Sequence, residues 1–236
     1  MMLSNIFGWE FLEEYKKGKR TFSDLHMQFS DLTGSDLQDT IIKNSKLEFV
    51  LLRESKLKNV RFIDCELFFC GFRNAEMTGV IFDNCKIDYG YFEHALFDNT
   101  KMLKCHLNWC GMFFANIGSL DTSSSTLFKV FTDISQLSQK DINDAYMGLI
   151  PFVQNLDFEM RALIQDRLKN VTTKLGIKPT TLQASPKYEQ EGSDYSKPGS
   201  AYQNLGDMME QLIGAYASKK PYKSNTPYEK KGEYKK

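Results

Sequence analysis

The sequence predicts a mainly β solenoid followed by a helical region, and three observations predict it. Every fifth residue from 22 to 117 is apolar, running Phe22, Met27, Leu32, Leu37, Ile42 and onward without a break to Leu107, Met112 and Ile117. With 42% of the chain apolar, twenty hits in one phase have a chance of roughly 10⁻⁸. Helices repeat at 3.6 residues and strands at 2, so a period of five requires a stacked object. The residue two before each centre is small from Ser30 onward, as in Ser30, Ser35, Thr40, Ser45 and Val50. Large axial residues beside small ones fill a thin prism. Finally, 21–118 contains no proline, all six lying at 151 or later.

Taken in order, 1–19 reads as an N-terminal cap, because Phe7, Trp9, Phe11, Leu12 and Tyr15 suit a short segment covering the first coil. A solenoid needs such a cap, since its end is otherwise bare core and open strand edge. The repeats occupy 20–118. From 119 the register is lost, and 119–178 reads as a Ser-rich exit segment and then a helix. Leu156, Met160, Leu163, Ile164, Leu168, Val171 and Leu175 recur at spacings of three and four, and Gly176 and Pro179 end the pattern. The polar stretch 179–200 reads as a linker. Over 201–218, Leu205, Met208, Met209, Leu212 and Ile213 share one face of an amphipathic helix, the expected self-association surface. The segment 219–236 holds seven Lys and two Glu, net 7 − 2 = +5, and reads as a basic disordered tail.

The segments Ser30-Asp31-Leu32-Thr33-Gly34 and Ser35-Asp36-Leu37-Gln38-Asp39 resemble the pentapeptide-repeat family, whose consensus is Ala-(Asp/Asn)-Leu-X-X. The resemblance covers about 20–118. It implies a right-handed quadrilateral β-helix with four pentapeptides per coil, hence about five coils and a rod on the order of 24 Å long. Some members of the family resemble B-DNA and protect type II topoisomerases such as gyrase, which gives one alternative function.

The chain of 236 residues has zero formal net charge, so bulk charge names no partner. No early apolar run follows a basic start and no run of 18 apolar residues occurs, so neither secretion by a signal peptide nor membrane spanning is expected, and the expected location is the cytoplasm. Cys65, Cys70, Cys85, Cys105 and Cys110 all fall in the small inward column, where a thiol acts as a small hydrophobe. His26 and His106 share an outward column but lie four coils apart, roughly 19 Å. With no Gly-rich phosphate loop, nucleophile motif or metal-ligand spacing, the expectation is no enzyme, no cofactor, no metal and no small-molecule substrate.

Residues twenty apart stack in such a coil. One corner then carries Phe29, Phe49, Phe69, Tyr89 and Trp109, with Tyr91, Phe113 and Phe114 nearby. These form the expected partner-binding strip, or a ladder that stiffens the rod. A different face carries Ile41, Ile63, Ile81 and Leu103, and Asp24, Asn44, Asp64 and Asn84 form an Asx column. The basic cluster that includes Lys43, Lys46, Arg53 and Lys56 reads as a solvated face beside Glu48 and Glu54. The function expected is a protein-binding or assembly scaffold, as a dimer. Nucleic acid or anionic membrane enters only through the basic tail, as in an effector acting through its C-terminal region.

Overall fold

The structure, a computed structural model, describes residues 3–133 together with Gln136, Ser138 and Lys140. The expected helices, linker and tail beyond these lie outside the described residues. Those through Val130 form one unit.

That unit is a four-sided parallel β solenoid. One side is a seven-stranded sheet of β1 (Ser4–Ile6), β3 (Leu25–Asp31), β6 (Lys46–Leu51), β9 (Glu66–Phe68), β12 (Lys86–Asp88), β15 (His106–Gly111) and β16 (Thr126–Phe131), in that order. The second side stacks β4 (Asp36–Gln38), β7 (Lys56–Lys58), β10 (Glu76–Thr78) and β13 (Leu96–Asp98). The third stacks β2 (Thr21–Ser23), β5 (Ile41–Lys43), β8 (Arg61–Ile63), β11 (Ile81–Asp83) and β14 (Lys101–Leu103). The fourth is held by single bridges, Leu51 to Gly71, Gly71 to Tyr91 and Tyr91 to Gly111. Partners differ by twenty residues throughout, as in Leu47 with Leu67 and Ile87 with Leu107.

The period of five has a backbone cause. The residue two after a centre sits at positive φ at nearly every corner, as at Asp24 (φ 58), Asn44 (49), Asp64 (52) and Asn84 (53). One left-handed residue per five turns a short strand through a corner, and Asn and Asp tolerate that region best. Their side chains also bond between coils, Asn84 Nδ2 donating to Asp64 Oδ1 at 2.6 Å and Asn59 to Asp39 at 2.9 Å. Every centre from 22 to 112 is buried, none more than 4% exposed. All five cysteines are free and buried, and burial pushes Cys70 and Cys110 up to about 12.

A helix covers the first coil. α1 (Gly8–Lys16) follows β1, which itself pairs with β3. Phe11 is fully buried with its ring 4.3 Å from that of Phe22, and the Tyr15 hydroxyl accepts the Gln38 N–H at 2.9 Å.

At the other end the solenoid runs further than the apolar pattern. The exit expected from 119 begins instead as a sixth coil, with Met102 N–H donating to Asp121 O (2.8 Å) and Thr126 N–H to Cys105 O (2.8 Å). Serines replace the missing apolar signal. Ser124 and Ser125 Oγ accept the Lys104 and Cys105 N–H groups at 3.1 and 2.9 Å.

Candidate functional site

The aromatic corner is a packed ladder. Phe29 stacks on Phe49 at 4.8 Å, Phe49 on Phe69 at 5.6 Å and Phe69 on Tyr89 at 5.4 Å, with interplanar angles of 7°, 17° and 13°. Phe68 packs edge-on against Phe49 and Tyr89. Trp109 continues the column under the Lys129 ammonium, 5.7 Å from the ring centroid. All five hold φ between 45° and 56°, a region that disfavours bulky side chains at about 1–2 kcal/mol each. Offset stacking, about 0.5–1.5 kcal/mol per aromatic pair beyond area burial, offsets that cost.

The strip is not an open surface. Phe29, Phe49, Tyr89, Trp109, Tyr91 and Phe113 are buried, Phe69 is half-buried, and only Phe114 projects freely, stacked 5.0 Å from His94. The burial extends along the fourth side, where Leu51 and Glu93 also point away from the axis and are buried. By contrast Ile41, Ile63, Ile81 and Leu103 on the five-stranded side are half-buried, each strand pairing one aliphatic with one charged residue.

Two buried carboxylates border this flank. Glu48 accepts from Lys46 Nζ (2.8 Å), His26 Nε2 (2.8 Å) and Gln28 Nε2. Glu48 is 2% exposed, while Lys43 and Lys56 of the basic cluster beside it are exposed as a solvated face requires. Glu93 accepts from the Tyr91 hydroxyl (2.9 Å) and pairs with Arg73, whose guanidinium lies 5.8 Å from the Tyr91 ring. Neither cluster was visible in sequence, because burial of an outward column depends on what packs over it. The one available signal was Glu48 standing between Leu47 and Phe49 rather than in a polar run.

Burial alone would push the Glu48 carboxyl up. Hydrogen bonds from Lys46, His26 and Gln28 outweigh it and hold the group below its ordinary value of 4.5. A depressed folded value means stability that is complete above the ordinary value and lost as pH falls through the folded one. The melting temperature is therefore expected to drop on acidification below pH 4.5, and to drop less steeply in Glu48→Gln. Equal slopes in thermal melts of the two proteins would contradict this.

Among the described residues no group of three or more His, Cys, Asp or Glu could hold a metal ion, and no helix is long and apolar enough to cross a membrane.

Residues 45–84 match the family model of pentapeptide repeats in eight copies. No curated protein matches the chain. Among solved structures it is similar to a pentapeptide repeat protein from the Arabidopsis thaliana thylakoid lumen (15% identity, 42% of this chain, 68% of that one, TM-score 0.39). It is also similar to QnrB1, a plasmid-mediated fluoroquinolone resistance protein (15%, 58% and 94%, TM-score 0.32). A third is HetL of Nostoc sp. strain PCC 7120, involved in heterocyst differentiation regulation (21%, 56% and 61%, TM-score 0.23).

Proposed function

We propose that this chain, whose residues 45–84 match the model of pentapeptide repeats, is a non-enzymatic scaffold that binds protein and assembles with itself. The observation that carries this reading is the flank around the aromatic corner. Side chains that project from a bare rod meet water. Here Phe49, Leu51, Tyr91 and Phe113 project outward and are buried. That flank is already packed, so what it offers a partner is its exposed continuation. Phe114, 63% exposed, continues that surface into solvent.

Self-association is assigned to the apolar face of 201–218, with Leu205, Met208, Met209, Leu212 and Ile213 as its contacts. Light scattering on the full chain is expected to give the mass of a dimer, and Met209→Asp with Leu212→Asp is expected to lower it to a monomer. A full chain that stays monomeric up to about 50 µM, far above a typical specific Kd, would count against the dimer. A topoisomerase decoy requires an acidic rod. Residues 20–118 carry 11 basic and 13 acidic residues, net 11 − 13 = −2, which favours the scaffold.

A further inference from the structure

Three of the five cysteines stand directly above one another. Cys65, Cys85 and Cys105 occupy the inward corner between the five-stranded side and the seven-stranded side, in successive coils. Strands on both flanks of that corner hold them in register. Asp83 pairs with Ile63 and Leu103 before it, and Lys86 with Glu66 and His106 after it. The backbone is tied at the cysteines themselves, Lys86 N–H donating to Cys65 O and His106 N–H to Cys85 O, each at 2.9 Å. Neighbouring α-carbons in such a ladder are about 4.8 Å apart. A disulfide needs about 4.4–6.8 Å. The Cys85 thiol is within hydrogen-bond reach of both Cys65 and Cys105.

The other two cysteines lack this arrangement. Cys70 and Cys110 share the next inward column, but Gly90 stands between them and they are two coils, about 9.6 Å, apart. That exceeds the reach of a disulfide unless the backbone moves. Both are wholly buried, and burial pushes them up to about 12, where the thiol is inert.

The stack of three also ends where the solenoid is weakest. The coil above Cys105 is tied by a single bridge at Asp121, by the Ser125 hydroxyl accepting the Cys105 N–H at 2.9 Å, and by β16 pairing with β15. Thr122 stands where other coils have an apolar centre, and Leu127 is 48% exposed. A segment with few buried apolar contacts is the one that opens most readily. Cys105 is therefore the first of the three to meet solvent. Its hydrogen bond with Cys85 holds its thiol below the usual value, toward the reactive thiolate.

We propose that Cys105 and Cys85 form a redox site, a dithiol that a peroxide converts to a disulfide across two coils. The Cys105 thiolate attacks one oxygen of hydrogen peroxide. The O–O bond breaks, the second oxygen leaves with the thiol proton as water, and Cys105 becomes a sulfenic acid. The Cys85 sulfur then attacks the Cys105 sulfur. The S–O bond breaks, and hydroxide leaves with the Cys85 proton as a second water. Two electrons have passed from the two sulfurs to the peroxide. A small dithiol restores both thiols by exchange and becomes a disulfide itself. The site is independent of the scaffold reading.

The test is a thiol count in urea on the reduced full chain after treatment with hydrogen peroxide, with any bond located by tandem mass spectrometry. The expected result is loss of two of the five thiols, in a disulfide that joins Cys85 to Cys105 and that dithiothreitol reverses. The Cys85→Ser chain is expected to form no disulfide and to yield a Cys105 sulfenic acid that dimedone traps. Serine already stands at 45 and 125 in the same column, so the fold accepts it. Retention of all five thiols by the folded chain, while the chain oxidised in urea loses them, would overturn the proposal. So would a first disulfide that joins any other pair, or one that forms equally in Cys85→Ser.

Discussion

Phe82→Ala is expected to destabilise the protein by about 3–5 kcal/mol, the usual cost of removing a fully buried aromatic. Phe82 is at 0% exposure on the axis, stacked 4.8 Å above Phe62 and edge-on to Phe72 at 6.0 Å. Its neighbours cannot move in to fill the hole, because each is fixed in a backbone ladder with a coil above and below. The position matters as much as the size. In a solenoid every coil is stabilised by contact with its neighbours alone, so a gap in the middle weakens the coupling between the two halves. Urea unfolding is expected to show a lower midpoint. A second transition would be the sign that the halves have separated.

The second large effect is expected at Gly90, where the column of small residues reaches its minimum. A Cβ there would lie 2.8 Å from Ile87 Cγ2, 2.8 Å from Phe92 Cε2 and 3.3 Å from Cys110 Sγ. None of these can retreat. Ile87 is β-branched and fully buried, and the Phe92 ring is stacked on Phe72 at 4.9 Å. Gly90→Val is therefore expected to cost about 3 kcal/mol by overpacking. Ser30, Val50, Cys70 and Cys110 hold the equivalent place in other coils, so it is the neighbours Ile87, Phe92 and Cys110 that set the limit at Gly90. Gly90→Ala is expected to lose less than Gly90→Val, in thermal or urea melts, and equal stability of wild type and Gly90→Val would refute the packing argument.

The parts of the fold that were readable from sequence are those written in side chains that repeat. The period of five, the inward cysteines, the Asx corners and the stacked aromatic column follow from which residue stands at each fifth place. The sixth coil was not readable, because Thr122 interrupts the apolar column and the serines after it resemble a turn. Stacking needs only acceptors for the backbone N–H groups of the preceding coil, and the Ser124 and Ser125 hydroxyls supply two. Burial of Glu48 and of the aromatic flank was hidden for a different reason. Repeat position tells which way a side chain points, and says nothing of what lies over it. The same limit applied to Ile117, whose place in the repeat promised burial and which is 41% exposed.

The measurement that tests the central claim most directly is amide hydrogen exchange of the full chain at two protein concentrations a hundredfold apart. If the rod is a scaffold that assembles along its aromatic flank, protection around Tyr91, Gly111 and Phe114 rises with concentration. The internal strands Glu76–Thr78 and Ile81–Asp83 exchange equally slowly at both. Exchange along that flank that is independent of concentration would contradict the account.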